Sequence, residues 1–127
     1  MSEYYYHGFK GKKKFRSIKK KGLSCNNKTF AKKEYAESVD NALYITDNPS
    51  FAVEWAYVQH GKRLMFLAII PKEAITCELH KDENFPIGSE YHDCSYYIKD
   101  TIVTDFEIAR LMVHNGNLDI RSTVCFY

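Results

Sequence analysis

Apolar positions along the chain fall into short runs with two different periods, and these runs predict the elements. Residues 3–9, EYYYHGF, are aromatic and read as an opening strand that ends at His7-Gly8. Lys13 to Lys21 reads as a helix with Phe15 and Ile18 facing inward, the lysines facing out and Gly22 closing it. Residues 23–41 are polar and aperiodic and carry turn formers such as Asn26-Asn27. They predict a loop with one short helical turn near Lys32–Ala36. The organising stretch is Ala42 to Gly61. Ala42 to Ile45 suits a short buried strand, and Asp47 and Asn48 are helix N-cap types. Pro49 fits the first helical position, where its missing N–H would be unpaired anyway. Phe51, Ala52, Trp55 and Ala56 then make one apolar helix face, and Gly61 supplies a stop.

Leu64 to Ile70 is continuously apolar and predicts a buried central strand ended by Pro71, with a second short strand over Ala74–Leu79. Lys81 to His92, with Pro86 and Gly88 among charges, reads as a loop. Cys94–Ile98 and Phe106–Val113 are strand-like and joined through residues 100–105. His114-Asn115-Gly116-Asn117 is a hairpin-turn signal, and Ile120–Tyr127 suits a last edge strand. The pattern is that of one α+β domain over residues 1–127, long enough to bury a core.

Composition changes the picture in two places. Hydrophobic and charged fractions of 45% and 27% are ordinary, but 15% aromatic content, with ten tyrosines and eight phenylalanines, is high. Most large aromatics fill interiors, yet Tyr44, Trp55 and Tyr57 as a set can also clamp a flat ring. The net charge of +2 hides a sharp asymmetry. Lys10 to Lys33 holds eleven Lys or Arg and no acid; with Glu3 the first 33 residues carry +10, which leaves −8 for the rest. A solvated basic helix face and an anionic partner (phosphates, nucleic acid or an acidic protein) both fit this segment. No run of about 18 apolar residues predicts a membrane span, and MSEYYYHGFKG lacks an apolar signal core. An intracellular location is expected, and export of a folded effector by a non-classical route gives the same sequence pattern.

The cysteines Cys25, Cys77, Cys94 and Cys125 are irregularly spaced and suit free thiols in a reducing compartment. Cys77-x-x-His80 with His92-x-Cys94 offers a competing two-sulfur, two-nitrogen zinc set, although His-x-Cys is tighter than common finger spacing.

The order of the motifs resembles the catalytic domain of the diphtheria-toxin-like and poly(ADP-ribose) polymerase-like ADP-ribosyltransferases. The residues that carry the resemblance are Tyr6-His7-Gly8, the run from Ser17-Ile18 to Gly22-Leu23, and Ala42-Leu43-Tyr44-Ile45-Thr46 followed by Asn48-Pro49-Ser50. Leu64–Ala68 is similar to the family's next core strand, and Cys94–Val113 to its final pair of segments. The resemblance implies an ADP-ribosyltransferase-like split β-sheet core with a few short helices. It implies a mono-ADP-ribosyltransferase that cleaves NAD, its co-substrate, releases nicotinamide and modifies a protein or nucleic-acid target met by the Lys10–Lys33 segment.

The same resemblance implies roles for particular residues. His7 would bond the adenosine ribose, Gly8 would offer backbone groups to the nicotinamide carboxamide, and Tyr44 would pack on the nicotinamide ring. Trp55 falls at a second stacking position, and Ala52 falls where the family usually has a serine. Cationic nicotinamide suits an aromatic sandwich, and the oxocarbenium-like state of glycosidic cleavage is helped by a carboxylate. The family's glutamate position falls at Ser95 or Tyr96, neither an acid, with Glu107 and Glu90 as nearby alternatives. Glu107 also has a plain reading as an outward strand residue. Family members without this glutamate typically transfer one ADP-ribose or are inactive, so two further readings stand beside the enzyme. One is an inactive module on the same fold that binds NAD, ADP-ribose or nucleic acid. The other is an RNA 2′-phosphotransferase-like activity, for which the chain is short.

Overall fold

The computed structural model describes residues 3–24, 42–58, 64–82, 88–89, 93–114 and 117–125. The elements in chain order are β1 (Tyr4–Lys10), α1 (Lys12–Lys21), β2 (Leu23–Ser24), β3 (Ala42–Thr46) and α2 (Pro49–Val58). After them come β4 (Met65–Pro71), a 3-10 turn (Lys72–Ala74), β5 (His80–Lys81), β6 (Ser95–Lys99), β7 (Ile102–Val103), β8 (Glu107–His114) and β9 (Asn117–Cys125). The architecture is α+β with a mostly antiparallel sheet and few helices. Among the described residues, no helix is long and apolar enough to cross a membrane.

Seven strands form one sheet in the order β5-β6-β3-β1-β4-β8-β9, and β2 and β7 pair separately. The seven-stranded sheet is two ladders with a thin joint. On one side β1 runs in register with β4 along its full length, from Tyr4↔Pro71 to Lys10↔Met65. On the other side β3 runs with β6 from Ala42↔Lys99 to Thr46↔Ser95. Between the two ladders, β1 and β3 share only the partners Tyr6↔Thr46.

Each face of the sheet carries its own apolar cluster. Tyr5, Phe9, Leu43, Ile45, Phe66, Ala68, Ile70, Ile98 and Ile108 point to the α1 side and meet Ile18, Leu23, Val103 and Phe106. α1 is held there by the residues its pattern predicts: Ile18 is buried, and Phe15 stacks on Phe66 at 4.6 Å, which stacks in turn on Phe9 at 5.3 Å. Burying a side chain such as Ile18 contributes about 1.5–3 kcal/mol. On the opposite side, Ala52 and Val53 of α2 pack with Met65, Leu67, Ala109 and Leu111, with Tyr6 and Ile69 at the margin. Asn48 caps α2: its Oδ1 accepts from the Ser50 and Phe51 N–H groups at 3.0 and 3.4 Å. Burial at Phe51, Ala52 and Val53 in succession is broader than the single stripe expected. The side chains of Trp55 and Ala56, and Gly61, lie outside the described residues.

The strand expected over Ala74–Leu79 is absent. Residues 72–74 form the 3-10 turn, and residues 75–79 join no ladder before β5. Ile75 and Cys77 pack against the α1-side cluster, so their alternation reflects a loop lying on the core and not strand pairing. The start of the segment read as a loop from Leu23 and the connection over residues 100–105 form a ladder with each other. Leu23↔Val103 and Ser24↔Ile102 join the end of α1 to the segment before β8. The expected helical turn at residues 32–36, most of the 81–92 loop and the Asn115-Gly116 turn lie outside the described residues. β8 and β9 do pair at His114↔Asn117 on either side of that turn, and β9 is an edge strand.

Gly22 couples α1 to the small ladder. Its N–H closes the helix on the Ile18 carbonyl at 2.8 Å, and its backbone sits at φ 88°, ψ 178°, a region essentially limited to glycine. A Cβ there would lie 2.7 Å from the Val103 carbonyl oxygen and 3.0 Å from Ile102 Cγ2. Gly22→Ala is therefore expected to lower unfolding stability by about 2 kcal/mol or more, read as a fall in the urea midpoint. An unchanged midpoint would show that this junction tolerates a side chain.

Candidate functional site at the β1–β3 joint

Alternation along β1 puts His7 between Tyr5 and Phe9 on the α1 side, where its ring stacks on Phe9 at 6.2 Å. His7 is buried, yet it sits one residue past the point where β1 and β3 stop pairing. Its Nδ1 bonds the backbone carbonyl of Tyr44 at 2.8 Å. A carbonyl only accepts, so the bond assigns the proton to Nδ1 and leaves Nε2 with a free lone pair. Burial, and next the nearby charge of Lys14, pull the His7 pKa from the usual 6.5 down to about 4, against a smaller upward pull from the Tyr44 bond. At neutral pH the ring is uncharged. Its Nε2 is an acceptor held within the buried α1 side of the sheet.

Tyr44 leans the other way. Leu43 and Ile45 enter the α1-side cluster, so the Tyr44 side chain stands on the α2 side of the sheet. There it meets Tyr97 directly across β6, ring to ring at 5.5 Å and 44°. Tyr97 in turn stacks on His80 across β5 at 4.9 Å and 14°. The three half-buried rings form a row running to the sheet edge. His80 also lies 3.6 Å from Glu78. Tyr97 and His80 were not anticipated as members of this row, because cross-strand register is not written in either segment alone.

The other expected site residues divide between near and far. Gly8 follows His7 on β1 and is the register partner of Leu67. Ala52, on the sheet-facing side of α2, is fully buried. Ser95 is fully buried and is the register partner of Thr46, so it shares the Tyr44 side. Tyr96 does not. Its ring sits on the α1 side, edge-on to Tyr5 at 5.9 Å, with Lys81 Nζ 4.5 Å above it and its hydroxyl donating to the Asp93 carbonyl. Glu107 is exposed on β8, opposite Ile69, and three strand positions from β3. At about 4.8 Å per strand, the structure does not bring it to Tyr44. The Trp55 side chain and Glu90 lie outside the described residues.

A different acid reaches the neighbourhood. The N–H of Asp82 donates to the Ser95 carbonyl at 3.0 Å and extends the β5–β6 ladder by one bond. His80 stacks on Tyr97 on the α2 side and Lys81 lies over Tyr96 on the α1 side, so alternation returns Asp82 to the side of Ser95 and Tyr44. Asp82 is only 3% exposed, unusual for a carboxylate. Nothing in the sequence marked it, since it stood inside a segment read as a loop.

The zinc alternative gains no support. Cys77 and Cys94 are free thiols, and His92 lies outside the described residues. Among the described residues, no group of three or more His, Cys, Asp or Glu side chains is placed to hold a metal.

No protein-family model matches the chain, and no curated protein or solved structure matches it either. The site has to be read from its own geometry.

The depressed His7 pKa ties stability to pH. The unfolded chain takes up this proton at higher pH than the folded one, so the contribution is complete above pH 6.5 and lost as pH falls toward 4. It amounts to about 3 kcal/mol across that window. His7→Asn keeps a donor for the Tyr44 carbonyl but does not titrate. The expected result is a stability difference between wild type and His7→Asn that shifts against the wild type by this amount between pH 7 and pH 4, measured by denaturant unfolding. A difference independent of pH would contradict the buried neutral ring.

Proposed function

We propose that the chain is an NAD-dependent mono-ADP-ribosyltransferase built on the split-sheet plan of that superfamily. The observation that carries this reading is the bond from His7 Nδ1 to the Tyr44 carbonyl at the joint of the two ladders. It joins the histidine and tyrosine segments that the resemblance pairs, through the Tyr44 backbone, although they are 37 residues apart in sequence. The side-chain-free Gly8 would let the carboxamide approach the backbone and the Tyr44 ring would lie against nicotinamide, while His7, whose ring stands on the other side of the sheet, would hold the Tyr44 segment in place through its Nδ1 bond.

In the reaction, the bond between ribose C1′ and the nicotinamide nitrogen breaks, and its electron pair leaves with nicotinamide, neutralising that ring. Positive charge develops on the ribose, and the acceptor nucleophile bonds C1′ as it loses its proton. A carboxylate near C1′ stabilises this state. Asp82 is the acid we assign to that task, because it is hydrogen-bonded through its backbone to Ser95, one of the two residues, with Tyr96, at which the family's glutamate position falls. Glu107, three strands away, is not.

A second reading has its own support. Ser95 is fully buried and carries no charge, which suits a module that binds NAD or ADP-ribose without cleaving it.

Calorimetric titration with NAD and chromatographic detection of released nicotinamide separate the two. The transferase predicts binding, nicotinamide release and NAD-derived labelling of a macromolecule. Asp82→Asn should slow release on the order of 10²-fold while binding persists. His7→Ala and Tyr44→Ala should weaken NAD binding about tenfold or more. Binding without release selects the module, and no binding of NAD or ADP-ribose overturns both.

A further inference from the structure

α1 is built against the electrostatic rules for a helix that serves only the fold. Its sequence, KKKFRSIKKK, has seven Lys or Arg in ten residues and no acid. Lys12, Lys13 and Lys14 occupy the first turn, where the helix dipole repels cations, and no side chain caps that end. Lys12 with Arg16 and Arg16 with Lys20 are like charges four residues apart, which oppose helix formation. Every one of the seven cationic residues is exposed. The helix is nonetheless held rigidly. Phe15 and Ile18 anchor it in the core, Gly22 closes it, and the Gly11 N–H bonds the Leu64 carbonyl at 2.7 Å just before its start. A packed, self-repelling cationic rod fixed to the end of β1 is what a polyanion-docking element requires.

We infer that α1 is a docking surface for a nucleic-acid backbone. Charge complementarity selects the class, and the surface chemistry selects within it. Protein interfaces have an apolar core depleted of charge, whereas the outward side of α1 is Lys13, Arg16, Ser17 and Lys20 with no apolar residue. An amphipathic membrane helix inserts its apolar side, but here Phe15 and Ile18 are already spent on the core. Phosphate contacts need neither, only cations held in a row. The inference does not depend on NAD chemistry. If both hold, Lys14, whose charge reaches His7, lies on the flank of the same helix that faces the joint.

A ten-residue helix spans about 15 Å, which matches about four phosphates of one strand. Fluorescence anisotropy with the full chain and a labelled 20-nucleotide RNA, single-stranded DNA or duplex DNA tests this directly. Binding should weaken on the order of 10²-fold between 50 and 200 mM salt, a log–log slope of about −3 to −4. The variant K13E/R16E/K20E should lose on the order of 10²-fold in affinity at low salt, with an unchanged or higher thermal midpoint because helix self-repulsion is relieved. The neutral variant K13Q/R16Q/K20Q should fall between the two and serves if charge reversal disturbs the fold. The inference is overturned by no binding to any of the three probes at 50 mM salt, or by variants that bind like wild type. It is equally overturned if polyglutamate competes as well as nucleic acid, or if anionic vesicles bind and the nucleic acids do not. NAD binding by a chain that fails this test would leave the cleft reading intact, so the two failures are distinguishable.

Discussion

The hydrogen bond from His7 Nδ1 to the Tyr44 carbonyl is the constraint on which the arrangement of the site depends. The two ladders of the sheet meet through a single pair of register partners, and this bond crosses the gap beside that pair. Such a bond contributes about 1 kcal/mol net, but leaving its buried partners unsatisfied costs about 1–3 kcal/mol. It also decides the chemistry of the histidine. Burial makes the ring neutral, and the carbonyl fixes which nitrogen holds the proton, so the ring becomes an oriented acceptor instead of a cation.

Beside the joint, a sheet with two covered faces still leaves a row of rings half-buried. α1 and α2 lie on opposite sides, and each buries the ladder residues beneath it. On the α2 side, the rings of Tyr44, Tyr97 and His80 continue past the α2 cluster to the short edge strand β5, half-buried rather than sealed. Asp82 extends that edge by one backbone bond and sits beside Ser95. On that side residues from β3, β5 and β6 come together through register, whereas the His7 ring of β1 stands on the α1 side and reaches them through the Tyr44 backbone.

Where the sequence and folding stability disagree, function is the natural explanation. α1 keeps its two core anchors and its glycine stop, which folding requires, and then places cations where the helix dipole and its own neighbours resist them. The arrangement of Gly22 against the Val103 carbonyl shows how tightly that helix is nonetheless fixed.

The sequence by itself determined the elements whose apolar residues recur within one window. β1, α1, β3, the capped start of α2, β4, β6 and β8 were legible because a period of two or about 3.6, or an unbroken apolar run, declares which side is buried. It also fixed the charge of α1 and the aromatic wealth of the strands. Only the tertiary structure decided which strands pair and in which register. That is why the alternation of Ile75 and Cys77 misled, why Glu107 proved to be three strands away, and why Tyr97, His80 and Asp82 entered the site unannounced. Register is settled by contacts between residues far apart in the chain. A shift of one residue moves every side chain to the other face, and no local pattern records it.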